Sequence, residues 1–171
     1  KLLGYSMNTQ SIEELEEAKQ LLIDQRPLVY AYVTDQVIDN MIAGNAALAV
    51  VYSGDATYIM DENENMEYVI PKEGSNIWVD AMVIPKTAQN IELAHEFINF
   101  MQRPEIAKMN TEYVMYSTPN TETLKMVEDQ EWTKNEAYSP SEELLDSLPM
   151  ETCRDPGEFI KQYDDIWTQV L

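Results

Sequence analysis

Cysteine and histidine are almost absent from this chain, which has one of each in 171 residues. The lone Cys153 excludes an internal disulfide and a cysteine-based metal cluster, and the lone His95 excludes a multi-histidine metal site. Basic residues are also scarce, 11 against 31 acidic residues, so the formal charge is −20. Because phosphate binding needs clustered lysine and arginine, we expect neither nucleic acid nor an anionic membrane surface as a partner. We predict no metal and no cofactor.

Other familiar signals are missing too. No apolar run approaches the roughly 20 residues that span a bilayer, and there is no glycine-rich phosphate loop or Gly-x-Ser-x-Gly nucleophile turn. We interpret His95 as a surface histidine and Cys153 as an inert thiol, so the sequence predicts no enzyme. The chain opens at Lys1 with no signal peptide, and we expect it to be a piece of something longer.

What the chain does have is 44% hydrophobic residues, enough for a core. Capping signals predict where helices begin, and short apolar runs predict strands between them. The predicted helix starts are the reciprocal capping box of Ser11 and Glu14, Thr34 or Asp35, Ser53, Asn90, Pro104, Thr121 and Asp155. The predicted strands are residues 28–33, 46–52, 67–70 and 76–84. This alternation favours an α/β fold.

One pair of residues suggests a binding site. On a strand, Trp78 and Asp80 would point to the same face, about 6.5–7 Å apart along the chain. An indole beside a carboxylate suits an organic cation, because the carboxylate binds an ammonium group and the ring covers methylenes or the charge. The alternative is a core tryptophan beside a solvent-exposed acid at a strand end.

Two tyrosines lie at the edges of predicted loops. Tyr52 ends a predicted strand, at the kind of position where ligands bind in α/β sheets, and Tyr116 precedes a Ser-Thr-Pro-Asn turn. Each tyrosine also suits simple packing, and this alternative stays open.

Six stretches of sequence resemble one family, the spermidine/putrescine-binding proteins of bacterial ABC transporters. The resemblance is strong over residues 1–127 and loose over 128–171, and its most specific block is the Pro-Lys-Glu-Gly turn followed by Trp-x-Asp. The matching stretches are residues 3–8, 43–44 leading into 50–54, 70–74, 77–85, 98–104 and 116–120.

This resemblance implies a type II periplasmic-binding-protein fold with two lobes that close over a polyamine, of which this chain is the carboxyl-terminal half. Residues 1–77 would belong to the second lobe, residues 78–125 would return to the first lobe, and residues 126–171 would return to the second lobe. The fragment would then lack most strands of the first lobe and part of the second lobe's sheet, so apolar residues of 78–125, such as Met82, Ile84, Ile98 and Met101, would lack partners. We expect the fragment to self-associate, exchange strands or repack.

The resemblance also implies the ligand-binding residues. Trp78 and Asp80 match the family's stacking indole and amine-binding carboxylate, Tyr52 and Tyr116 match cleft aromatics, and Thr34 matches a hydroxyl-bearing residue near the ligand. Tyr52 stands where the family has a tryptophan, which leaves the preferred polyamine undecided. A further family carboxylate falls before Lys1, and a family glutamine has no clear counterpart near residues 151–153.

The function implied is polyamine recognition outside the cytoplasm, as the solute-binding component of an ABC importer that delivers its ligand to a permease. Two alternatives stay open. In the first alternative, the chain has the same fold and binds another small organic cation or solute. A carboxylate-dependent hydrolase is compatible with the acidic surplus, although no defined acid/base pair supports it.

Overall fold

A computed structural model describes residues 1–171, and its regular secondary structure is helical. None of the helices combines the length and the hydropathy that crossing a bilayer requires. The α-helices are α1 (Ile12–Gln25), α2 (Gln36–Ile42), α3 (Ser53–Glu62), α4 (Ile91–Met101), α5 (Pro104–Val114), α6 (Thr121–Val127), α7 (Glu142–Ser147) and α8 (Ile160–Val170). Short 3-10 turns cover Arg26–Leu28, Glu131–Lys134 and Gly157–Phe159.

The predicted capping box at α1 is confirmed only in part. The Ser11 hydroxyl accepts a hydrogen bond from the backbone N–H of Glu14 at 3.3 Å, as the pattern predicts. The Glu14 carboxylate does not return a bond to Ser11. It accepts from the Thr9 hydroxyl instead, and the Ser11 N–H donates to Thr9 Oγ1 at 3.1 Å. A threonine two residues before the cap therefore competes for the second half of the box.

Four of the other predicted starts are confirmed, at Ser53, Asn90, Pro104 and Thr121. The start predicted at Asp155 is not: its carboxylate accepts from the Gly157 N–H at 2.8 Å, and α8 begins later, at Ile160. Asn90 Oδ1 accepts from the N–H of Leu93 at 3.1 Å to open α4, and Asn120 Oδ1 does the same for α6. Pro104 occupies the first position of α5, where its missing N–H costs nothing. Of the two residues predicted to cap α2, Asp35 occupies the N-cap position, and its side chain makes no capping hydrogen bond.

The four predicted strands do not form, so the predicted α/β layering is not confirmed. The single β-bridge joins Asn76 to Glu151 in parallel. Leu48 is 91% exposed and Val50 fully exposed, although the run 46–52 is predicted to be a buried strand. The physical reason is that strand N–H and C=O groups pair only with a neighbouring segment, and no segment of this chain pairs with this one.

The chain divides into two compact units, and the first comprises Lys1–Thr34, Ile70–Trp78 and Glu143–Leu171. Within it, α1 packs against α8, with Leu15 and Val170 buried. Arg26 of the 3-10 turn after α1 donates to the carbonyl of Val170 at 2.6 Å, near the carboxyl end of α8, where a cation is favoured by the helix dipole. Tyr163 of α8 donates to the Thr9 carbonyl at 2.7 Å.

Glu151 joins distant parts of this first unit. Its backbone N–H donates to the Ser75 carbonyl at 3.0 Å, and its carbonyl accepts from the N–H of Ile77 at 2.9 Å. Its carboxylate accepts from the Lys1 ammonium, from the Ser6 hydroxyl at 2.6 Å and from the Met7 N–H at 3.1 Å. One glutamate thus connects three segments that are far apart in sequence.

The second unit comprises Asp35–Val69 and Val79–Glu142. In it α2 packs on α3, α4 on α5, and α5 on α6. Four buried threonines supply polar contacts to the core, and each hydroxyl donates to a backbone carbonyl, which avoids the cost of an unpaired buried group. The threonines are Thr57, Thr111, Thr123 and Thr133. The lobe boundaries expected after residues 77 and 125 stay a prediction.

The pKa of the Glu151 carboxylate determines how the stability of the first unit changes with pH. Hydrogen bonds from Lys1 and Ser6 lower the pKa of Glu151 from 4.5 to about 2. Stability from a depressed carboxyl pKa is fully present above its unfolded value and is lost as the pH falls through the folded value. We therefore expect acidification from about pH 4.5 to about 2 to destabilise the wild-type chain more steeply than the Glu151→Gln variant. The measurement is chemical denaturation over that pH range.

The matched control is Glu158→Gln, which removes an exposed glutamate in the same unit. It should keep the wild-type pH dependence. If the wild type and Glu151→Gln lose stability in parallel, Glu151 does not hold the segments together through its charge.

Candidate functional site

The aromatic residue Tyr52 stands at the start of α3, in the second unit. Its backbone is extended (φ −72°, ψ 152°) and it occupies the N-cap position, which directs the chain from the unpaired apolar run into the helix. Its side chain is 60% exposed. The small residues Ser53 and Gly54 that follow permit other groups to approach the first turn of α3 closely.

Tyr116, the second predicted aromatic, is positioned by the end of α5. The helix ends at Met115, whose φ of +56° is left-handed and redirects the chain. The buried Thr111 hydroxyl then donates to the carbonyl of Tyr116, and it also lies 3.2 Å from the Tyr138 hydroxyl. The hydrogen bond from Thr111 thus fixes the backbone of Tyr116.

The Tyr116 ring lies directly over Gly54. A Cβ atom added to Gly54 would lie 2.1 Å from Cε2 of Tyr116, so the ring occupies space that only glycine leaves. The Tyr116 hydroxyl donates to Oδ1 of Asp55 at 3.3 Å. The structure therefore joins Tyr116 and the first turn of α3 into one cluster, which we call the Tyr116–Asp55 cluster (Tyr52, Gly54, Asp55 and Tyr116).

The electrostatics of this cluster follow from partial burial beside negative charge. Burial raises the pKa of Tyr116 to about 12, and the neighbouring Asp55 charge adds to the effect. Burial also raises the pKa of Asp55, and Asp35 contributes in the same direction, while the Tyr116 hydrogen bond opposes it. Tyr52 lies near enough to raise the pKa of Tyr116 further. The cluster combines aromatic surface with carboxylate charge, a combination that suits an organic cation.

The other predicted site residues lie elsewhere in the two units. Thr34 is exposed and Trp78 half-buried, and both belong to the first unit. Asp80 belongs to the second unit, is exposed, and forms no salt bridge. Residues 76–84 form no strand, so strand geometry gives no reason to expect Trp78 and Asp80 side by side. Their role as a pair stays a prediction.

Sequence reasoning missed Asp55. An acidic residue in the first turn of a helix is usually explained by the helix dipole, so its identity alone carried no signal. The signal available was its position three residues after Tyr52, in the same turn as Gly54. Its contact with Tyr116, 61 residues later, follows only from the fold.

The close approach of Gly54 to Tyr116 generates a stability prediction. Gly54→Ala should destabilise the protein by roughly 1–3 kcal/mol, the usual cost of overpacking, because the new methyl group displaces the ring. In the Tyr116→Ala background the same change should be neutral or stabilising, since alanine is favoured over glycine within a helix by about 1 kcal/mol. Denaturant unfolding of the four variants measures both effects. An equal cost of Gly54→Ala in both backgrounds would contradict the packing.

Comparison with known proteins places the chain in a family. A family model described as bacterial extracellular solute-binding protein matches residues 3–140. A spermidine/putrescine-binding periplasmic protein of Haemophilus influenzae is 30% identical over 98% of this chain and 46% of its own length. One from Salmonella typhimurium is 37% identical over 73% of this chain and 36% of its own length. The chain thus spans less than half of these curated relatives.

Solved structures give the same result. A Listeria monocytogenes protein assigned to spermidine/putrescine ABC transport is 39% identical, with a TM-score of 0.87 over 98% of this chain and 51% of that one. A spermidine/putrescine substrate-binding protein of Streptococcus pneumoniae is 38% identical, with a TM-score of 0.77. The predicted resemblance to polyamine-binding proteins is confirmed, and the chain belongs to the bacterial extracellular solute-binding protein family.

Proposed function

We propose that this chain is the carboxyl-terminal half of a polyamine-binding protein that serves an ABC importer. The observation that carries the proposal is the similarity of almost the entire chain to proteins named for spermidine and putrescine, in sequence and in structure. Because the chain spans about half of those proteins, the complete activity belongs to the intact protein, meaning this chain together with any sequence that flanks it.

The chemistry of the chain supports a cationic ligand. A polyamine is a flexible chain of methylenes with ammonium groups, so it needs carboxylates at its charged groups and apolar faces along its stem. The chain carries a net charge of −20, and the Tyr116–Asp55 cluster places a carboxylate beside an aromatic ring. We assign ligand binding to Trp78, Asp80, Tyr52, Tyr116 and Thr34.

The same proposal includes the finer description of the fold. In the intact protein we expect a type II α/β architecture with two lobes, residues 1–77 and 126–171 in one and residues 78–125 in the other. The apolar segments that lack partners in this chain are then strands whose neighbours come from the remaining half. Exposed valines in 46–52 and 79–84 support this expectation.

Partners and location follow from the proposed role. A solute-binding component delivers its ligand to the permease of its transporter and needs no catalytic step, so we propose binding without turnover. The relatives are named as periplasmic proteins, which supports a location of the working protein outside the cytoplasm.

Calorimetric titration of the intact protein with putrescine and spermidine tests the function. We expect binding of both cations and no heat with sugars or neutral amino acids. Trp78→Ala and Asp80→Asn should each weaken binding by about 30-fold or more, because losing a buried, charge-assisted contact commonly costs about 2–5 kcal/mol. Cys153→Ser, which changes an exposed thiol, should bind as the wild type does.

Two results would overturn parts of this proposal. Wild-type protein that binds neither polyamine contradicts the function, and turnover of a glycoside would favour the hydrolase alternative. If polyamines bind but both variants stay within twofold of the wild type, the ligand site lies elsewhere. Thermal unfolding of each variant separates lost binding from lost fold.

The isolated chain of 171 residues should self-associate. The helix α4 exposes apolar side chains on its surface, with Leu93 58% and Phe97 57% exposed, and Val83 before it is 80% exposed. Of the residues expected to lack partners, Met82 is exposed, whereas Ile84, Ile98 and Met101 are half-buried. Soluble monomers rarely keep contiguous exposed apolar patches larger than a few hundred Å².

Light scattering at increasing concentration measures this association. We expect a mass above 19.7 kDa that falls towards the monomer value in the Leu93→Glu/Phe97→Glu variant. Lys125→Glu, a change on the exposed surface of α6 in the same unit, controls for added negative charge. A wild-type chain that stays monomeric at all concentrations would contradict the expectation.

A further inference from the structure

Two buried hydroxyl groups form a chain of hydrogen bonds that ends at the backbone of Tyr116. The Thr111 hydroxyl donates to the Tyr116 carbonyl, and the Tyr138 hydroxyl lies 3.2 Å from Thr111 Oγ1. Because a threonine hydroxyl has one proton and Thr111 gives it to the carbonyl, Tyr138 is the donor of the second bond. Thr111 is 2% and Tyr138 3% exposed, so both hydroxyls lie inside the second unit.

Thr111 directs its hydroxyl away from its own helix. A helical threonine commonly bonds back to the carbonyl four residues earlier, as Thr57 does to Ser53 at 3.0 Å. The Thr111 hydroxyl instead bonds forward, to a residue that follows the end of α5. Threonine is also a weaker helix former than alanine. The contacts of Thr111 therefore serve the segment after the helix.

The backbone that Thr111 holds has a costly conformation. Met115 has a φ of +56°, which few residues other than glycine adopt, and its N–H donates to the Thr111 carbonyl at 2.9 Å. Thr111 thus holds this turn at two successive residues, through its carbonyl at Met115 and through its hydroxyl at Tyr116. Strained backbone of this kind persists where surrounding contacts over-determine it, and such places cluster at functional sites.

Both ends of the hydroxyl chain are themselves fixed by packing. The Tyr138 ring packs edge to face on Trp132, with ring centroids 4.8 Å apart, and its N–H donates to the Asn135 carbonyl at 3.0 Å. At the other end, the Tyr116 ring lies so close to Gly54 that no methyl group fits between them. Because this fit is tight, a shift of the Tyr116 backbone would move the ring relative to the first turn of α3.

We propose that Thr111 and Tyr138 position Tyr116 for polyamine binding through this pair of hydrogen bonds. The inference rests on the proposed polyamine function, in which Tyr116 is a ligand-binding residue. Thr111 and Tyr138 are positioning residues, because their hydroxyls are buried and act on the ligand through Tyr116. The alternative is that the two hydroxyls stabilise the second unit, as buried hydrogen bonds generally do, without any effect on affinity.

The test is calorimetric titration of the intact protein with putrescine, with thermal unfolding of every variant. We expect Thr111→Val, which removes the hydroxyl and keeps the branched shape, to weaken binding by about fivefold or more, since it frees the Tyr116 carbonyl. Tyr138→Phe should weaken binding by about threefold, because it removes the supporting bond and leaves the Thr111 bond in place. Thr111→Ser, which keeps the hydroxyl, should bind within about twofold of the wild type.

Two controls separate positioning from stability. Thr123→Val removes another buried hydroxyl of the second unit, one that donates to the Pro104 carbonyl at 3.1 Å. It should lower the melting temperature, as Thr111→Val does, and change affinity less than about twofold. In the Tyr116→Ala background, Thr111→Val should cause no further loss of affinity, because the ring that it positions is gone. Titration into the millimolar range of putrescine keeps weak variants measurable.

Each other outcome overturns the proposal. Unchanged affinity of Thr111→Val with lowered thermal stability assigns the hydroxyls to the core alone. A loss that persists in the Tyr116→Ala background, or Tyr116→Ala that binds as the wild type does, shows that Thr111 does not act through Tyr116. An equal loss from Thr123→Val shows a general effect of destabilisation, and Thr111→Ser as weak as Thr111→Val assigns the effect to the methyl group. If the wild type binds no polyamine, the proposed function itself fails, which is a separate result.

Discussion

Backbone hydrogen bonding is the constraint on which the rest of this structure depends. A helix closes its N–H···O=C bonds between residues four apart, so all of its backbone hydrogen bonds lie within one local segment. A strand needs a neighbour, which is usually distant in sequence. Here every regular element is helical, and the one bridge, Asn76 to Glu151, joins segments 75 residues apart. The apolar runs without neighbours stay exposed, which agrees with the proposal that their partner strands belong to the remaining half of the protein.

The sequence therefore predicts the starts of helices, which depend on adjacent residues, better than it predicts strands, which depend on distant segments. Asn90, Asn120 and Pro104 mark helix starts because each acts on its own first turn. The strand at residues 46–52 was wrong for the present chain, although its apolar run is typical of a buried strand, because burial depends on what packs beside it. Even the capping box at Ser11 was altered by one nearby hydroxyl, that of Thr9.

The candidate site shows the same division. Tyr52 and Tyr116 were predicted from loop edges and family motifs, and the structure brings both to the first turn of α3. Asp55 was missed because its partner is 61 residues away and its own position has an ordinary explanation. Glu151 was also missed as the residue that joins three segments of the first unit, because nothing adjacent to it signals contacts with Lys1 or Ser6. The spacing of residues along the sequence predicts contacts within one helix or strand. Contacts between elements can be identified only from the folded structure.

If the unpaired apolar segments are strands completed by the remaining half of the protein, their backbone N–H groups are hydrogen-bonded only in the intact protein. Amide hydrogen exchange of residues 46–51 and 79–84, compared between the isolated chain and the intact protein, measures this. We expect rapid exchange in the isolated chain and exchange at least about a hundredfold slower in the intact protein, as strand pairing requires. Rapid exchange of both segments in the intact protein would contradict it.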